Sequence, residues 1–172
     1  VPADLSIILP EILLSVFAML ALLGAVYGRK DRIATSLIWV TAAIFIIAAL
    51  SLMRSANGTE IGFNGMFIND GFARFAKVVV LFSAAAVLVI SPDYLAERKI
   101  LKFEYPVLIT LSVVGMMMMI SAGVLMLLYM GVELQSLCLY IIASMRRDSL
   151  KSTEAGLKYF VLGALSSGLL LY

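Results

Sequence analysis

Glu133 offers more chemistry than any other residue in this sequence. It lies alone in a long apolar run, with no other Asp, Glu, Lys or Arg between Glu104 and Arg146. An ionisable group at the centre of a membrane helix is costly and has to face protein or water, which makes it a functional candidate. At 100° per residue, Tyr129, Glu133, Ser136, Tyr140 and Ser144 fall in a stripe roughly 80° wide, while Gln135 and Cys138 point elsewhere. One carboxylate and four hydroxyls on one face can line a water-filled proton path. The same residue can also be a neutral, hydrogen-bonded glutamate that glues helices together.

Lys158 is the second candidate, roughly 10 Å or more into the next helix. Helices joined by a short loop pack antiparallel, so Lys158 can approach Glu133 directly or through a water. A further charge brought near such a pair would change both proton affinities at once, which is the basis of coupled proton transfer. The competing arrangement is local. Glu154 precedes Lys158 by four residues, in the favourable order for a helical ion pair. Spacing alone leaves both open.

The bulk composition says what must hold these groups. Of 172 residues, 63% are hydrophobic and 14% charged, against roughly 25% charged in soluble domains. The chain reads as an integral membrane protein of helices, its apolar runs being too long for barrel strands. Its environment is the lipid bilayer, with no nucleic-acid partner expected. With one cysteine, Cys138, and no histidine, the chain alone cannot form an internal disulfide, a cysteine-ligated cluster, a histidine-ligated haem or a Ser-His triad. Proton transfer here must use Lys, Glu, Tyr, Ser and water.

Six spans are predicted: about 5–27, 33–52, 72–90, 103–120, a fifth carrying Glu133 after the break at Ser121-Ala-Gly123, and a sixth from about 150 to the last residue. Glu11, after Pro10, reads as a boundary carboxylate near a positive helix end. Arg74 and Lys77 can snorkel to the interface, Asp70 can pair with Arg74, or either cation can partner a buried acid. Residues 53–71 read as a polar loop with Asn57-Gly58 and Asn64-Gly65 as turn signals, and 91–102 as a charged loop with an amphipathic turn. Met116 to Met119 suggest adaptable packing. Asp148 or Ser149 can cap the sixth span. Ser152, Gly156, Gly163 and Ser167 share a face about 60° wide, a seam for close helix contact.

Charge asymmetry sets the expected orientation. Arg29, Lys30 and Arg32, then Arg98, Lys99 and Lys102, then Arg146, Arg147 and Lys151 follow spans one, three and five. Of the intervening loops, the first holds Arg54 as its only basic residue and the second holds no charge. The basic loops then lie inside and the N-terminus outside. Val1-Pro-Ala-Asp4 lacks the basic region of a signal peptide. Leu169-Leu-Leu-Tyr172 stops within an apolar helix, so a piece of a longer chain is expected.

Two segments carry a resemblance. Leu127 to Tyr140, with Gly131-Val-Glu-Leu-Gln-Ser136, and Lys151 to Tyr172, with Glu154-Ala-Gly-Leu-Lys-Tyr-Phe160, closely resemble the subunit N family (mitochondrial subunit 2) of proton-pumping NADH:quinone oxidoreductase, respiratory complex I. Leu9-Pro-Glu-Ile12 and Asp70-Gly-Phe-Ala-Arg74 fit the same family. The resemblance implies an all-α antiporter-like fold of about fourteen helices in two inverted repeats. Residues 1–104 would be three N-terminal transmembrane helices, and 105–172 the incomplete start of the first repeat. It implies a functional glutamate at Glu133 and places Lys158 on a polar axis. Later lysines of the family, on its seventh, eighth and twelfth helices, have no counterpart in these residues. The chain would be a non-redox subunit with no cofactor of its own. FMN, iron–sulfur clusters and quinone would sit in partner subunits, and its neighbours would be other antiporter-like and small polytopic subunits of the membrane arm. The expected location is the bacterial plasma membrane, with the mitochondrial inner membrane as the alternative. Two other readings stay open: a subunit of a multi-subunit sodium/proton antiporter, and a non-transporting membrane scaffold.

Overall fold

A computed structural model describes residues 3–27, 30–54, 58–98 and 100–172. Short α1 (Ala3–Ile7) leads into α2 (Leu9–Tyr27), α3 (Lys30–Arg54), a hairpin of β1 (Glu60–Gly62) and β2 (Phe67–Asn69), then α4 (Gly71–Glu97), α5 (Glu104–Ile120), α6 (Leu125–Ala143) and α7 (Leu150–Leu171). The six expected spans correspond to α2–α7. Five of the described helices are long and apolar enough to cross a membrane, and α5, with 17 residues, is shorter. At 1.5 Å per residue α5 is about 25 Å long, less than a hydrocarbon core of about 30 Å. It is the bundle's central helix, packed against α2, α3, α4 and α6, with Tyr105, Val107, Thr110, Val113, Val114 and Met117 all buried.

The core follows from helical spacing. Ile38, Ala42, Phe45, Ala49 and Leu52 form one buried stripe on α3, and Leu81, Ala84, Ala85 and Leu88 another on α4. Alternating alanines with large side chains lets the two helices approach closely while filling the gap.

Three boundaries differ from expectation, each for a local reason. The first span breaks at Ile8, because Pro10 has no N–H to continue a ladder through that turn. The third span runs past Ile90 to Glu97 despite Pro92. The carbonyl of Leu88, which residue 92 would have bonded in an ordinary helix, accepts instead from the Ser91 hydroxyl at 3.2 Å. The polar loop contains an antiparallel hairpin with Glu60 opposite Asn69 and Gly62 opposite Phe67. Its turn places Phe63, Asn64 and Gly65 at φ of 53°, 55° and 87°. The Asn64-Gly65 signal lies where it was expected, while Asn57, Arg29 and Lys99 lie outside the described residues.

The connections sort into two ends. On one end the hairpin bonds the α5–α6 turn: the Ile68 amide donates to the Ser121 carbonyl and the Gly123 amide to the Met66 carbonyl, both at 2.9 Å. On the other, Lys102 Nζ donates to the Met145 carbonyl at 3.4 Å, and Arg147 pairs with Glu104 at 3.3 Å. The basic segments after α4 and α6 therefore share an end, opposite the hairpin.

Candidate functional site

Helix α6 begins at an extended residue, Val124, with no side-chain cap. It crosses α5 where Gly131 meets Gly115. A Cβ added at Gly131 would come within 2.8 Å of the Gly115 carbonyl oxygen, and one at Gly115 within 2.9 Å of the Gln135 amide. Neither position has room for a side chain. The contact turns the Gly131, Gln135 and Cys138 side of α6 toward α5. Glu133, roughly 160° from Gly131, points away from it. Glu133 Oε1 is buried and has no hydrogen-bond partner among the described residues. Tyr129, one turn earlier, is half-buried, and its hydroxyl interacts with the Glu133 carboxylate. A cavity of about 250 Å³ lies beside Tyr129, lined by Leu125, Met126, Leu128, Leu170 and Leu171.

The stripe divides in two. Tyr140 and Ser144 sit in the α6–α7 seam. Tyr140 is 8% exposed and stacks edge-on with Tyr159 at 4.7 Å and Phe160 at 5.8 Å. Its hydroxyl occupies the space that a side chain at Gly163 would need. Ser144 lies against Gly156, and its hydroxyl donates to the Tyr140 carbonyl at 3.1 Å. In this structure these two residues pack in the seam, against the small-residue face of α7. Tyr129, Glu133 and Ser136 remain together further along the helix, all half-buried. Ser152 joins the seam by donating to the Ala143 carbonyl at 3.0 Å. Ser149 occupies the N-cap position of α7, but its side chain makes no capping bond.

Lys158 does not meet Glu133. It pairs with Glu154 at 2.5 Å, and both side chains are largely exposed, at 70% and 55%. The reason is rotation. With Gly156 and Gly163 turned to α6, Lys158 lies roughly 140° around α7 from Gly163, on the far face. The local pair forms in place of the interhelical one.

A different pair is buried, one that the sequence offered only as an option for Arg74 or Lys77. Lys77 Nζ lies 2.6 Å from Glu11 Oε1, across α4 and α2, with side-chain exposures of 0% and 3%. The contact lies off the hydrogen-bonding angle, and none of these charged atoms has an aligned hydrogen-bond partner. Glu11 is therefore a buried ion-pair member and not a boundary carboxylate, and Lys77 does not snorkel. Arg74 donates Nη1 to the Gly58 carbonyl at 2.8 Å, while Asp70 caps α4 through the Ala73 amide at 2.7 Å. The available signal was an imbalance: two cations in one span and one acid in another, each too deep to be left unpaired. Among the described residues, no cluster of three or more His, Cys, Asp or Glu side chains could hold a metal ion.

Comparison with known proteins places this geometry in context. A family model described as NADH:quinone oxidoreductase/Mrp antiporter, TM, matches residues 122–172, the segment holding α6 and α7. The chain is 63% identical over 172 residues to NADH-quinone oxidoreductase subunit N of Jannaschia sp. (strain CCS1), covering 100% of this chain and 36% of the relative. It is 58% identical over 170 residues to the subunit N of Rhodobacter capsulatus, covering 99% and 35%. The chain thus spans about a third of the length of the curated relatives it matches. Its fold is similar to a chain in the structure of respiratory complex I from Thermus thermophilus with bound aureothin. That match has a TM-score of 0.77 and 24% identity, and covers 95% of this chain and 35% of that one. At that identity the likeness speaks for the fold.

Proposed function

Because the chain belongs to the NADH-quinone oxidoreductase subunit N family, we propose that it forms part of a proton-translocating, antiporter-like subunit in the membrane arm of that enzyme. The observation that carries this reading is Glu133: an acid in a membrane-crossing helix with one oxygen buried and unbonded, next to the Tyr129 hydroxyl. A carboxyl group with one buried oxygen left unbonded is suited to accept and release a proton through water. The subunit does no redox chemistry itself. FMN, iron–sulfur clusters and quinone belong to partner subunits, and the electrostatic change caused by quinone reduction reaches Glu133 through neighbouring membrane subunits. The basic end carrying Arg98, Lys102, Arg146 and Arg147 faces the cytoplasm of a bacterial plasma membrane.

Lys158 fits the same reading with a changed role. It lies about 12 Å into α7, on a face exposed in this structure, where a charged pair would be costly in lipid. Further helices of the full-length subunit cover that face, and Lys158 exchanges its partner between Glu154 and groups on those helices.

The test is proton pumping per NADH oxidised in membranes carrying Glu133→Gln, with assembly of the complex verified. Loss of pumping by this subunit, with Glu133→Asp retaining it in part, is expected. Wild-type stoichiometry in Glu133→Gln would leave the residue as packing. Co-purification with flavin and iron–sulfur subunits separates this reading from that of a sodium/proton antiporter subunit.

A further inference from the structure

We propose that Lys77 is a positioning residue for Glu133. Held by Glu11, it pins Phe67, and through Phe67 the β1–β2 hairpin clamps the α5–α6 turn from which α6 runs down to Glu133. The proposal rests on the reading of Glu133 as the proton carrier.

Each link is a contact. The Lys77 ammonium sits 4.8 Å from the centroid of the Phe67 ring, which is itself 1% exposed. A desolvated cation over an aromatic face is held more strongly than an exposed one. Here the Glu11 carboxylate fixes the ammonium from the α2 side, so the lysine cannot swing toward the interface. Phe67 opens β2 and bridges to Ala122, flanked by the two 2.9 Å backbone bonds of the clamp. The hairpin tip presses on the same turn: a Cβ at Gly123 would collide with the Gly65 carbonyl oxygen. Arg74, one turn before Lys77, ties the start of the hairpin through Gly58. Two cations from the first two turns of α4 thus hold both ends of the strap.

The clamped turn matters because α6 has no side-chain cap of its own at Val124. Its N-terminal end is placed by the hairpin bonds at Ser121 and Gly123 and by the Gly115–Gly131 crossing. Glu133 lies nine residues beyond Val124, about 13 Å along a rigid helix, so a shift of the turn is passed to the carboxylate. Misplacement of a reacting group by about 1 Å can cost about 10²-fold in rate.

The test uses the full-length subunit in the assembled complex, with Lys77→Gln, Lys77→Arg and Phe67→Leu. Two quantities are read: amide hydrogen exchange at Ile68 and Gly123, and protons pumped per NADH oxidised. Lys77→Gln and Phe67→Leu are expected to speed exchange at both amides by about tenfold or more and to lower the pumping ratio, and in Phe67→Leu, where the ion pair stays in place, exchange at Leu81 and Val113 is expected to be unchanged. Lys77→Arg, which keeps the charge and the ring contact, is expected to retain both. Wild-type exchange in Phe67→Leu overturns the proposal, as does faster exchange with an unaltered pumping ratio. If Lys77→Gln fails to assemble, Phe67→Leu decides, since it leaves the ion pair in place. Glu133→Gln serves as the control: lost pumping with wild-type exchange is expected, and retained pumping there would overturn the role of Glu133 while leaving the clamp intact.

Discussion

Replacing Lys77 alone by methionine is expected to destabilise the bundle by about 3–5 kcal/mol, because it strands the buried Glu11 carboxylate, whose ion-pair partner among the described residues is Lys77. The pair itself is another matter. Two charges taken out of water recover their desolvation cost only with good geometry, and this contact lies off the hydrogen-bonding angle. The double variant Glu11→Leu with Lys77→Met should therefore cost about 1 kcal/mol or less, or even stabilise the bundle. Methionine in place of the lysine stem also keeps a favourable sulfur contact with the Phe67 ring. Chemical unfolding of the purified full-length subunit in micelles, run as a double-mutant cycle, checks this. Equal destabilisation by the single and double variants would show that the stem's packing, and not the unpaired charge, sets the cost.

Gly131→Leu is expected to be similarly damaging by a different route. At this crossing the atoms that would meet a new side chain include the Gly115 carbonyl at 2.8 Å and the Met119 amide at 3.0 Å. Backbone cannot rotate aside as a side chain can, so α6 would have to lift off α5. Overpacking commonly costs about 1–3 kcal/mol, and this site belongs at or above the upper end of that range. Because Glu133 lies two residues away, pumping should fall along with stability. Quantifying the folded subunit in membranes, beside Gly131→Ala as a milder step, tests the expectation. Wild-type levels of Gly131→Leu would mean that the two helices are not held at this distance.

The helices were legible because apolar runs are cut by charged or glycine-bearing segments, a pattern that lipid enforces. Their ends were less so. Pro92 reads as a stop, yet Ser91 supplies the hydrogen bond that lets α4 continue. The small-residue seam on α7 was also visible, and it carried more information than was drawn from it. Once Gly156 and Gly163 face α6, the helical period turns Lys158 away from Glu133, and the hydroxyls of Tyr140 and Ser144 become seam contacts. The Glu11–Lys77 pair was the hardest feature to see. It joins residues far apart in sequence through a tertiary contact that no local period encodes. Only the cost of an unpaired charge in a membrane helix pointed toward it.

The central claim is that the Glu133 carboxyl takes up and releases a proton during turnover. The most direct measurement is the infrared difference spectrum of the full-length subunit in the assembled complex on NADH reduction, compared with Glu133→Gln. The account predicts a carboxylic-acid C=O band that changes on reduction, shifts on exchange into deuterated water and disappears in the variant. An identical difference spectrum in Glu133→Gln would contradict it and leave Glu133 as a structural group in α6.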